Sequence, residues 1–352
     1  MSSSAILPMT ILQAMNPLSL FSRKEGGSTL TMPIRVARPS RGGTRTICVF
    51  PKGILVVVLV MLWVLGAAGT IQAQAPAGDA LDPEAVARGE YLFRATGGCG
   101  CHTDYAGGGE PLAGGRAIKT PFGAFYSTNI TPHPDTGLGR WSEADFIRAM
   151  REGKGPDGMR YFPVFPYTSF TAMSDGDLKY LWAYLRSVPP VALANRPHEA
   201  WPPFGWRIGL PFWQGLYLQS GPLAPRPERS PAWNRGAYLT RALGHCAECH
   251  TPRGWLGGPV KDMHLAGAVD GPEGEPASNL TPDRDTGLGS WSEADLVWYF
   301  EMGLRPDGDD SQGLMAEMIE HGFQHLAEED RRAIAVYLAS LPPLRNEVLR
   351  RN

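Results

Sequence analysis

Two stretches of the chain repeat apolar side chains with the period of an amphipathic helix. The apolar positions are Leu178, Leu181, Leu185 and Val188 in the first stretch, and Ile334, Tyr337, Leu338 and Leu341 in the second. Each stretch runs into a proline pair, Pro189-Pro190 or Pro342-Pro343, which cannot continue a helix. The pattern predicts two amphipathic helices that end before these prolines.

Two earlier helices are predicted from their start signals. Asp82-Pro83 and Ser230-Pro231 each place a capping side chain before a proline at the first helical position. Gly89 and Gly236 fall inside these helices, where Gly costs about 1 kcal/mol relative to Ala. We therefore expect an amphipathic helix to cross closely over each glycine.

These paired signals belong to an internal repeat. Residues 88–92 match residues 235–239 at an offset of 147, and residues 135–145 match residues 285–295 at an offset of 150. Tyr184-Leu185 matches Tyr337-Leu338. The sequence therefore predicts two copies of one domain, at residues 80–190 and 230–345.

The segment between the copies, residues 191–229, is rich in proline and aromatic residues. It contains Trp201-Pro202-Pro203-Phe204-Gly205-Trp206 and Leu210-Pro211-Phe212-Trp213, and a linker this apolar is not a solvated tether. Two interpretations stay open: a strap that packs across both domains, or a docking surface for a partner subunit or the bilayer.

Residues 54–69 are apolar throughout and follow a basic stretch. This pattern is typical of an export signal or an N-terminal anchor. Ala75-Pro76-Ala77 offers a small-residue cleavage site, while the run is nearly long enough to span a bilayer uncleaved. We assign residues 1–77 to an N-terminal extension with a signal or anchor. The later domains are then periplasmic, in a bacterium, either free or tethered to the inner membrane.

Composition narrows the possible functions. The length of 352 residues agrees with two domains. A net charge of -2 gives no argument for a nucleic-acid partner. Four of the five cysteines lie in two short motifs, and the fifth, Cys48, precedes the apolar run.

The second copy contains Cys246-Ala247-Glu248-Cys249-His250, the C-x-x-C-H signature of covalent c-type haem attachment. Two thiols one turn apart can bind the two vinyl groups of one haem, and the adjacent His supplies the proximal iron ligand. A zinc site would need a further Cys/His pair, which is not nearby. A redox C-x-x-C needs no following His, and a disulfide between such close neighbours would be strained.

The first copy of this motif is one residue shorter, Cys99-Gly100-Cys101-His102. Cys101 and His102 keep the register for one thioether and the proximal ligand. Cys99 can reach the second vinyl only through a distorted backbone, for which Gly98 and Gly100 supply freedom. Two haem c groups are therefore expected, and the alternative is a first domain that has lost its haem.

The order of motifs resembles class I cytochrome c. The tandem arrangement resembles the dihaem cytochrome c subunits of membrane-bound periplasmic dehydrogenases, of which alcohol and gluconate dehydrogenases are familiar members. The resemblance covers about residues 80–345 and rests on residues 246–252, 129–132 and 279–282 and on two Gly-x-Gly-x-Trp-Ser-Glu-Ala-Asp runs. It implies an all-α fold of two tandem class I cytochrome c domains joined by a Pro/Trp-rich strap.

In class I cytochromes the sixth iron ligand is usually a Met sulfur. Met315 and Met318 are the candidates in the second copy, and the resemblance favours Met315. The equivalent positions in the first copy are Phe162 and Phe165, which cannot bind iron. Met173 is the best substitute there and Met159 the second. Leu326 takes the place of Met173 in the second copy, so a core role for Met173 stays open.

Two further roles follow from the resemblance and the chemistry. In class I cytochromes, hydrogen-bond donors to the haem propionates often occupy the positions that correspond here to Trp141, Trp291, Asn129 and Asn279. Ordinary core packing of the two tryptophans is the alternative. Pro252 is expected to offer its carbonyl to the proximal His and so to select the imidazole tautomer.

The resulting prediction is an electron carrier that performs no chemistry on a substrate. It would accept electrons from the catalytic subunit of a periplasmic dehydrogenase and pass them to a membrane quinone or a terminal oxidase. The rival from another class is a dihaem peroxidase-like enzyme with an open haem 1. An open iron would bind carbon monoxide, whereas a Met-closed iron resists it.

Overall fold

The computed structural model describes residues 81–348, and these are mostly helical. The predicted N-terminal extension, with the apolar run and its cleavage site, lies outside the described residues. Among residues 81–348, none of the helices combines the length and the apolarity needed to cross a bilayer.

Both predicted helix starts are confirmed. Helix α1 (Pro83–Ala95) begins after Asp82, whose Oδ1 accepts a hydrogen bond from the Glu84 amide at 3.1 Å. The matching helix of the second copy, Pro231–Tyr238, begins after Ser230, whose Oγ accepts from the Trp233 amide at 3.1 Å. In chain order, the α-helices that follow α1 in the described part are α2 (Glu143–Glu152), α3 (Tyr167–Phe170), α4 (Asp175–Ser187), α5 (Leu210–Tyr217), α6 (Pro231–Tyr238, the matching helix just described), α7 (Ala247–His250), α8 (Glu293–Met302), α9 (Gly313–Glu320) and α10 (Glu328–Ala339).

The repeated Trp-Ser-Glu-Ala-Asp runs start α2 and α8 through capping boxes. The Ser142 Oγ accepts from the Asp145 amide at 3.2 Å while the Asp145 carboxylate accepts from the Ser142 amide at 3.0 Å. Ser292 and Asp295 make the same pair of bonds. Each box satisfies two backbone amides that a helix end leaves without partners, so these motifs have a structural role.

A small sheet departs from the all-α prediction. Strands β1 (Ala117–Thr120) and β2 (Gly123–Tyr126) form an antiparallel hairpin, and β3 (Glu199–Ala200) pairs antiparallel with β2. The sheet order is β1-β2-β3. Because β3 belongs to the segment between the copies, that segment is hydrogen-bonded to the first copy rather than free.

The predicted close crossings over the two glycines are confirmed. Helix α1 packs against α4, and α6 packs against α10. A Cβ on Gly89 would overlap the carbonyl oxygen of Tyr180, and one on Gly236 would overlap that of Ala333. Only glycine lets the backbones approach this closely, which accounts for its presence inside two helices.

The two copies exchange equivalent hydrogen bonds. The Tyr91 hydroxyl of the first copy donates to Asp330 of the second at 2.7 Å, and the Tyr238 hydroxyl of the second donates to Asp177 of the first at 2.7 Å. Each tyrosine oxygen also accepts a backbone amide from the other copy, from Ala327 at 3.1 Å and from Ser174 at 2.9 Å. The interface therefore has approximate twofold symmetry.

One buried apolar cluster contains side chains of both copies, among them Leu92, Leu181, Leu243 and Tyr337. The described residues belong to a single compact unit. The division into domains at residues 80–190 and 230–345 therefore stays a prediction from the repeat.

Candidate haem-attachment sites

The second motif lies on a short helical turn. Residues Leu239–Leu243 form a π-helical turn that continues α6, and α7 carries the motif itself. The His250 amide donates to the carbonyl of Cys246 at 2.9 Å. The thiols of Cys246 and Cys249 are free and partly accessible. The turn thus presents two thiols and one imidazole from adjacent positions.

The first motif compensates for its missing residue by a left-handed backbone. Gly97, Gly98 and Cys99 have φ angles of 73°, 67° and 48°. A 3-10 turn, Gly100–His102, then replaces the α-turn of the second motif. The His102 amide still donates to the carbonyl of Cys99, at 2.8 Å. The hydrogen bond that joins the first Cys to the His is therefore preserved in both copies.

The backbone downstream of the two motifs is equivalent. The carbonyls of His102 and His250 accept from the amides of Gly114 and Gly267, both at 2.8 Å. The following threonines, Thr103 and Thr251, accept from the amides of Leu112 and Leu265, both at 3.0 Å. The first site has kept the loop geometry of the second despite the deletion.

Both histidines are held in one orientation by a backbone carbonyl. His102 Nδ1 lies 2.7 Å from the Thr128 oxygen, and His250 Nδ1 lies 2.7 Å from the Ser278 oxygen. A carbonyl only accepts, so each Nδ1 carries the proton. Nε2 has no hydrogen-bond partner among residues 81–348 at either site and remains free to bind a metal.

The role expected for Pro252 is wrong. Its carbonyl accepts from the Val260 amide at 2.9 Å instead of contacting the imidazole. The tautomer is selected by the residue that precedes the Asn-x-Thr-Pro motif, Thr128 or Ser278. A hydroxyl residue directly before the Asn in both copies was the available sequence signal, although the contact itself spans 26 or 28 residues.

The surrounding protein partly desolvates all six motif side chains, including the exposed Cys101, and shifts their pKa values. It raises the pKa of Cys99 to about 11 and the pKa values of Cys246 and Cys249 to about 12, and it raises the pKa of Cys101. Burial also lowers the pKa of His102 and of His250, against the opposing effect of their carbonyl partners. The sites therefore hold neutral imidazoles, the form that binds iron.

The methionine candidates have different surroundings. Met173 is fully buried in the core, like Leu326 at the equivalent position, and Met159 is 44% exposed. Met315 packs at the edge of the core. The Met318 sulfur lies against Gly97 of the first motif, which favours Met315 over Met318 as a ligand at the second site. The ligand assignments to Met173 and Met315 stay predictions.

The asparagines of the repeated motifs stabilise turns. Asn129 Nδ2 donates to the Val191 carbonyl at 2.7 Å, and Asn279 Nδ2 donates to the Leu344 carbonyl at 2.7 Å. Their Oδ1 atoms accept from the amides of Thr131 and Thr281, both at 2.9 Å. With the amides engaged inside the protein, a structural role is favoured over donation to propionates.

The second motif and the loop that follows the first motif each contact the other copy. Glu248, inside the second motif, accepts from the hydroxyls of Thr168 at 3.0 Å and Ser169 at 2.8 Å, and pairs with Arg253 at 2.5 Å. Burial alone would raise the pKa of Glu248, but the attraction of Arg253 and these hydrogen bonds outweigh it and lower the pKa. At the first motif, Tyr105 stacks on His321 with ring centroids 4.4 Å apart.

The aromatic segment between the copies contacts both of them through one face of α5. The Trp213 Nε1 donates to the Leu256 carbonyl of the second copy at 2.9 Å, and its ring meets Tyr167 of the first. The segment also exposes apolar side chains: Phe212 on α5 is 68% exposed, and Ile208, in the turn just before α5, is 87% exposed. Both interpretations of this segment, strap and docking surface, are compatible with these contacts.

The residues present fit covalently bound haem. Each site offers two thiols and a neutral imidazole with a free Nε2 on one short turn. The thiols suit thioether attachment, and the imidazole suits binding to the haem iron. Among the described residues, no group of three or more His, Cys, Asp or Glu side chains could form a metal site of its own. The fold and the sites together define the class of a helical c-type cytochrome.

Comparison with known proteins supports this class. The cytochrome c subunit of gluconate 2-dehydrogenase from Pantoea cypripedii is 40% identical over 281 residues, 78% of this chain and 63% of that protein. A dihaem c-type cytochrome from Cereibacter sphaeroides is 40% identical over 279 residues, 75% of this chain and 90% of that protein. The cytochrome c subunit of a quinone-dependent alcohol dehydrogenase from Gluconobacter oxydans is 40% identical over 275 residues, 74% of this chain and 55% of that protein.

The chain belongs to the family of c-type cytochromes that includes these dehydrogenase subunits. This family membership places it among the electron-transfer proteins that carry haem c. The chain spans about three fifths of the gluconate dehydrogenase subunit and little more than half of the alcohol dehydrogenase subunit. No protein-family model matches the sequence.

Proposed function

We propose that the protein is a dihaem c-type cytochrome that relays electrons from a periplasmic dehydrogenase to the respiratory chain. The observation that carries the proposal is the matched geometry of the two motifs. At both, a carbonyl 2.7 Å from Nδ1 orients the imidazole. A first copy that had lost its haem would not require this contact.

Within each site the residues have separate roles. Cys246 and Cys249, and Cys99 and Cys101 in the first copy, hold the group covalently. His102 and His250 bind the iron through Nε2, and the Nδ1 hydrogen bond to the carbonyl increases the basicity of the ligand. When bound, haem supplies a one-electron couple whose potential depends on the axial ligands and on burial. Met173 and Met315 are proposed to close the sixth positions.

The partners follow from the relatives, which are named as subunits of dehydrogenases. We propose that the donor is the catalytic subunit of such an enzyme and that the acceptor is a membrane quinone or a terminal oxidase. The periplasmic location is proposed from the predicted export signal or anchor, because c-type haem is attached outside the bacterial cytoplasm.

The first experiment is the intact mass of the exported, unfolded protein, produced with haem-attachment machinery. Two covalent haems are expected. A mass with one haem would contradict the relay and identify the first copy as a structural or docking domain. Carbon monoxide binding to the reduced protein then tests the sixth ligands. We expect no carbon monoxide binding at either haem. Rapid binding at haem 1 would support the peroxidase-like alternative instead.

A further inference from the structure

Arg116 of the first copy forms a charged cluster with two glutamates of the second copy. Its Nη1 and Nη2 atoms pair with the two carboxylate oxygens of Glu317 at 2.5 and 3.3 Å, and its Nε pairs with Glu273 at 3.1 Å. The Arg116 side chain is only 12% exposed. A bidentate pair fixes the orientation of both groups as well as their distance.

The repeat does not explain this cluster. In the register of the two copies, Val269 takes the place of Arg116 and Val164 takes the place of Glu317. Valine forms no ion pair, so the equivalent positions cannot form the same cluster. The cluster therefore belongs to one side of the interface between the copies.

The backbone of Arg116 is fixed next to the first haem-attachment site. Its amide donates to the Ser127 Oγ at 3.1 Å, and its carbonyl accepts from the Ser127 amide at 3.0 Å. The next residue, Thr128, is the one whose carbonyl lies 2.7 Å from His102 Nδ1. Arg116 is thus anchored to the segment that orients the proximal histidine of the first site.

Glu317 lies in α9, the helix that carries Met315. The two residues belong to one helical turn and are about 3 Å apart along the helix axis. A helical turn moves as a unit, because backbone hydrogen bonds join its residues to the next turn. A contact that fixes Glu317 therefore also fixes the backbone that carries Met315.

Glu273 connects Arg116 to the start of the same helix. Its φ of 61° lies in the left-handed region, which a non-glycine residue seldom adopts without a local reason. Two residues later, the Glu275 Oε2 accepts from the Leu314 amide at 3.3 Å. This bond takes the place of an N-cap, because the Gln312 side chain makes no capping bond. Arg116 thus contacts both α9 and the loop that caps it.

We propose that Arg116 is a positioning residue, which holds α9 from the first copy so that Met315 keeps the sixth position of the second haem closed. The proposal rests on the proposed function, because it needs a haem at the second site and Met315 as its ligand. Without Arg116, the carboxylates of Glu273 and Glu317 lose their shared counter-charge and repel each other. The loop and α9 then separate, and Met315 moves with the helix.

Two substitutions remove the pair from opposite sides. Arg116→Gln removes the cation, and Glu317→Gln replaces the carboxylate by an amide of similar size. Arg235→Gln is the matched control. It removes another partly buried guanidinium, whose partner Asp330 lies 2.5 Å away on α10, so it weakens the protein without touching α9.

The test uses the full holoprotein and begins with the wild type and Met315→Ala. Intact mass counts the haems, and the carbon monoxide difference spectrum of Met315→Ala identifies the signal of the second haem. Carbon monoxide binding rates and midpoint potentials are then measured for each variant. The free energy of unfolding is measured alongside them.

We expect Arg116→Gln and Glu317→Gln to bind carbon monoxide at the second haem about tenfold faster than the wild type, which corresponds to about 1.4 kcal/mol. The midpoint potential of that haem should fall, because a Met ligand raises it. The double variant should bind no faster than either single variant, since both changes remove the same pair. Arg235→Gln should lose stability and still bind carbon monoxide as slowly as the wild type.

An unchanged binding rate and potential in both Arg116→Gln and Glu317→Gln would overturn the proposal. Equally fast binding in Arg235→Gln would also overturn it, because the effect would then come from a general loss of stability. If Arg116→Gln does not fold, Glu317→Gln decides the question alone. Failure of the proposed function is seen earlier, as a wild-type mass with one haem or as a Met315→Ala variant that does not bind carbon monoxide.

Discussion

Replacing Asp330 with asparagine should destabilise the protein by more than the loss of an exposed ion pair would, because Asp330 is buried in the first turn of α10. The Asp330 carboxylate accepts two bonds from Arg235, at 2.8 and 2.5 Å, and one from the Tyr91 hydroxyl of the other copy at 2.7 Å. The side chains of Asp330 and Arg235 are only 13% and 28% exposed. The substitution leaves the Arg235 guanidinium without its carboxylate in a largely buried place.

The magnitude follows from this partial burial. Removing one partner of a buried ion pair costs about 3–5 kcal/mol, whereas an exposed pair contributes at most about 1 kcal/mol. The Asp330 pair lies between these limits, so we expect a loss of about 2–3 kcal/mol. Asp177→Asn is the matched control from the first copy. The new asparagine can still accept the Tyr238 hydrogen bond, which is 2.7 Å long in the wild type. The cation near Asp177, Arg88, lies 4.0 Å from its carboxylate and is 45% exposed, so the expected loss is about 1 kcal/mol.

The assay is the free energy of unfolding of the holoprotein in denaturant, measured from pH 7 to pH 3. Burial alone would raise the pKa of Asp330, but the bonds from Arg235 and Tyr91 outweigh it and lower the pKa from 3.8. The stabilisation is therefore present above that ordinary value and is lost as the pH falls through the folded-state pKa. The difference between wild type and Asp330→Asn should shrink below about pH 3.8. Equal losses in the two variants, or a difference independent of pH, would refute this reasoning.

Two further experiments test the packing and the ligand assignment. Gly236→Ala should lower the free energy of unfolding by about 3 kcal/mol or more, because the new methyl would overlap the Ala333 carbonyl; thermal unfolding measures it, and a loss below 1 kcal/mol would mean that the helices can separate there. Met315→Ala should let the reduced second haem bind carbon monoxide, whereas Met318→Ala should not, since the Met318 sulfur contacts Gly97. The opposite pattern in the carbon monoxide difference spectrum would assign the ligand to Met318.

Several features of the fold were predictable because they depend on residues close in sequence. The caps at Asp82 and Ser230 need only the next three residues. The close helix crossings were predictable from Gly89 and Gly236. A glycine inside a helix is destabilising, so its presence indicates a compensating contact such as a close crossing. The hairpin Ala117–Tyr126 was missed because its strands of four residues are too short to show a period.

The candidate sites were predicted less completely. The cysteines and histidines were assigned from their spacing, but the partner of each imidazole was not, because Thr128 and Ser278 lie 26 and 28 residues further along the chain. The motif also gave no indication that the ring of His245 packs against Phe170 of the first copy. Such contacts depend on how distant segments pack, which no local pattern records.

By itself, the sequence determined the repeat, the haem-attachment motifs and the starts of the helices that carry them. Capping, helical periodicity and thioether spacing all act within a few residues, so they can be recognised without a structure. Only the tertiary structure decided that the shortened first motif keeps its geometry through the left-handed turn at residues 97–99. It also decided that Tyr91 and Tyr238 exchange partners between the copies, because hydrogen bonds between distant residues form only once the hydrophobic core brings the two copies together.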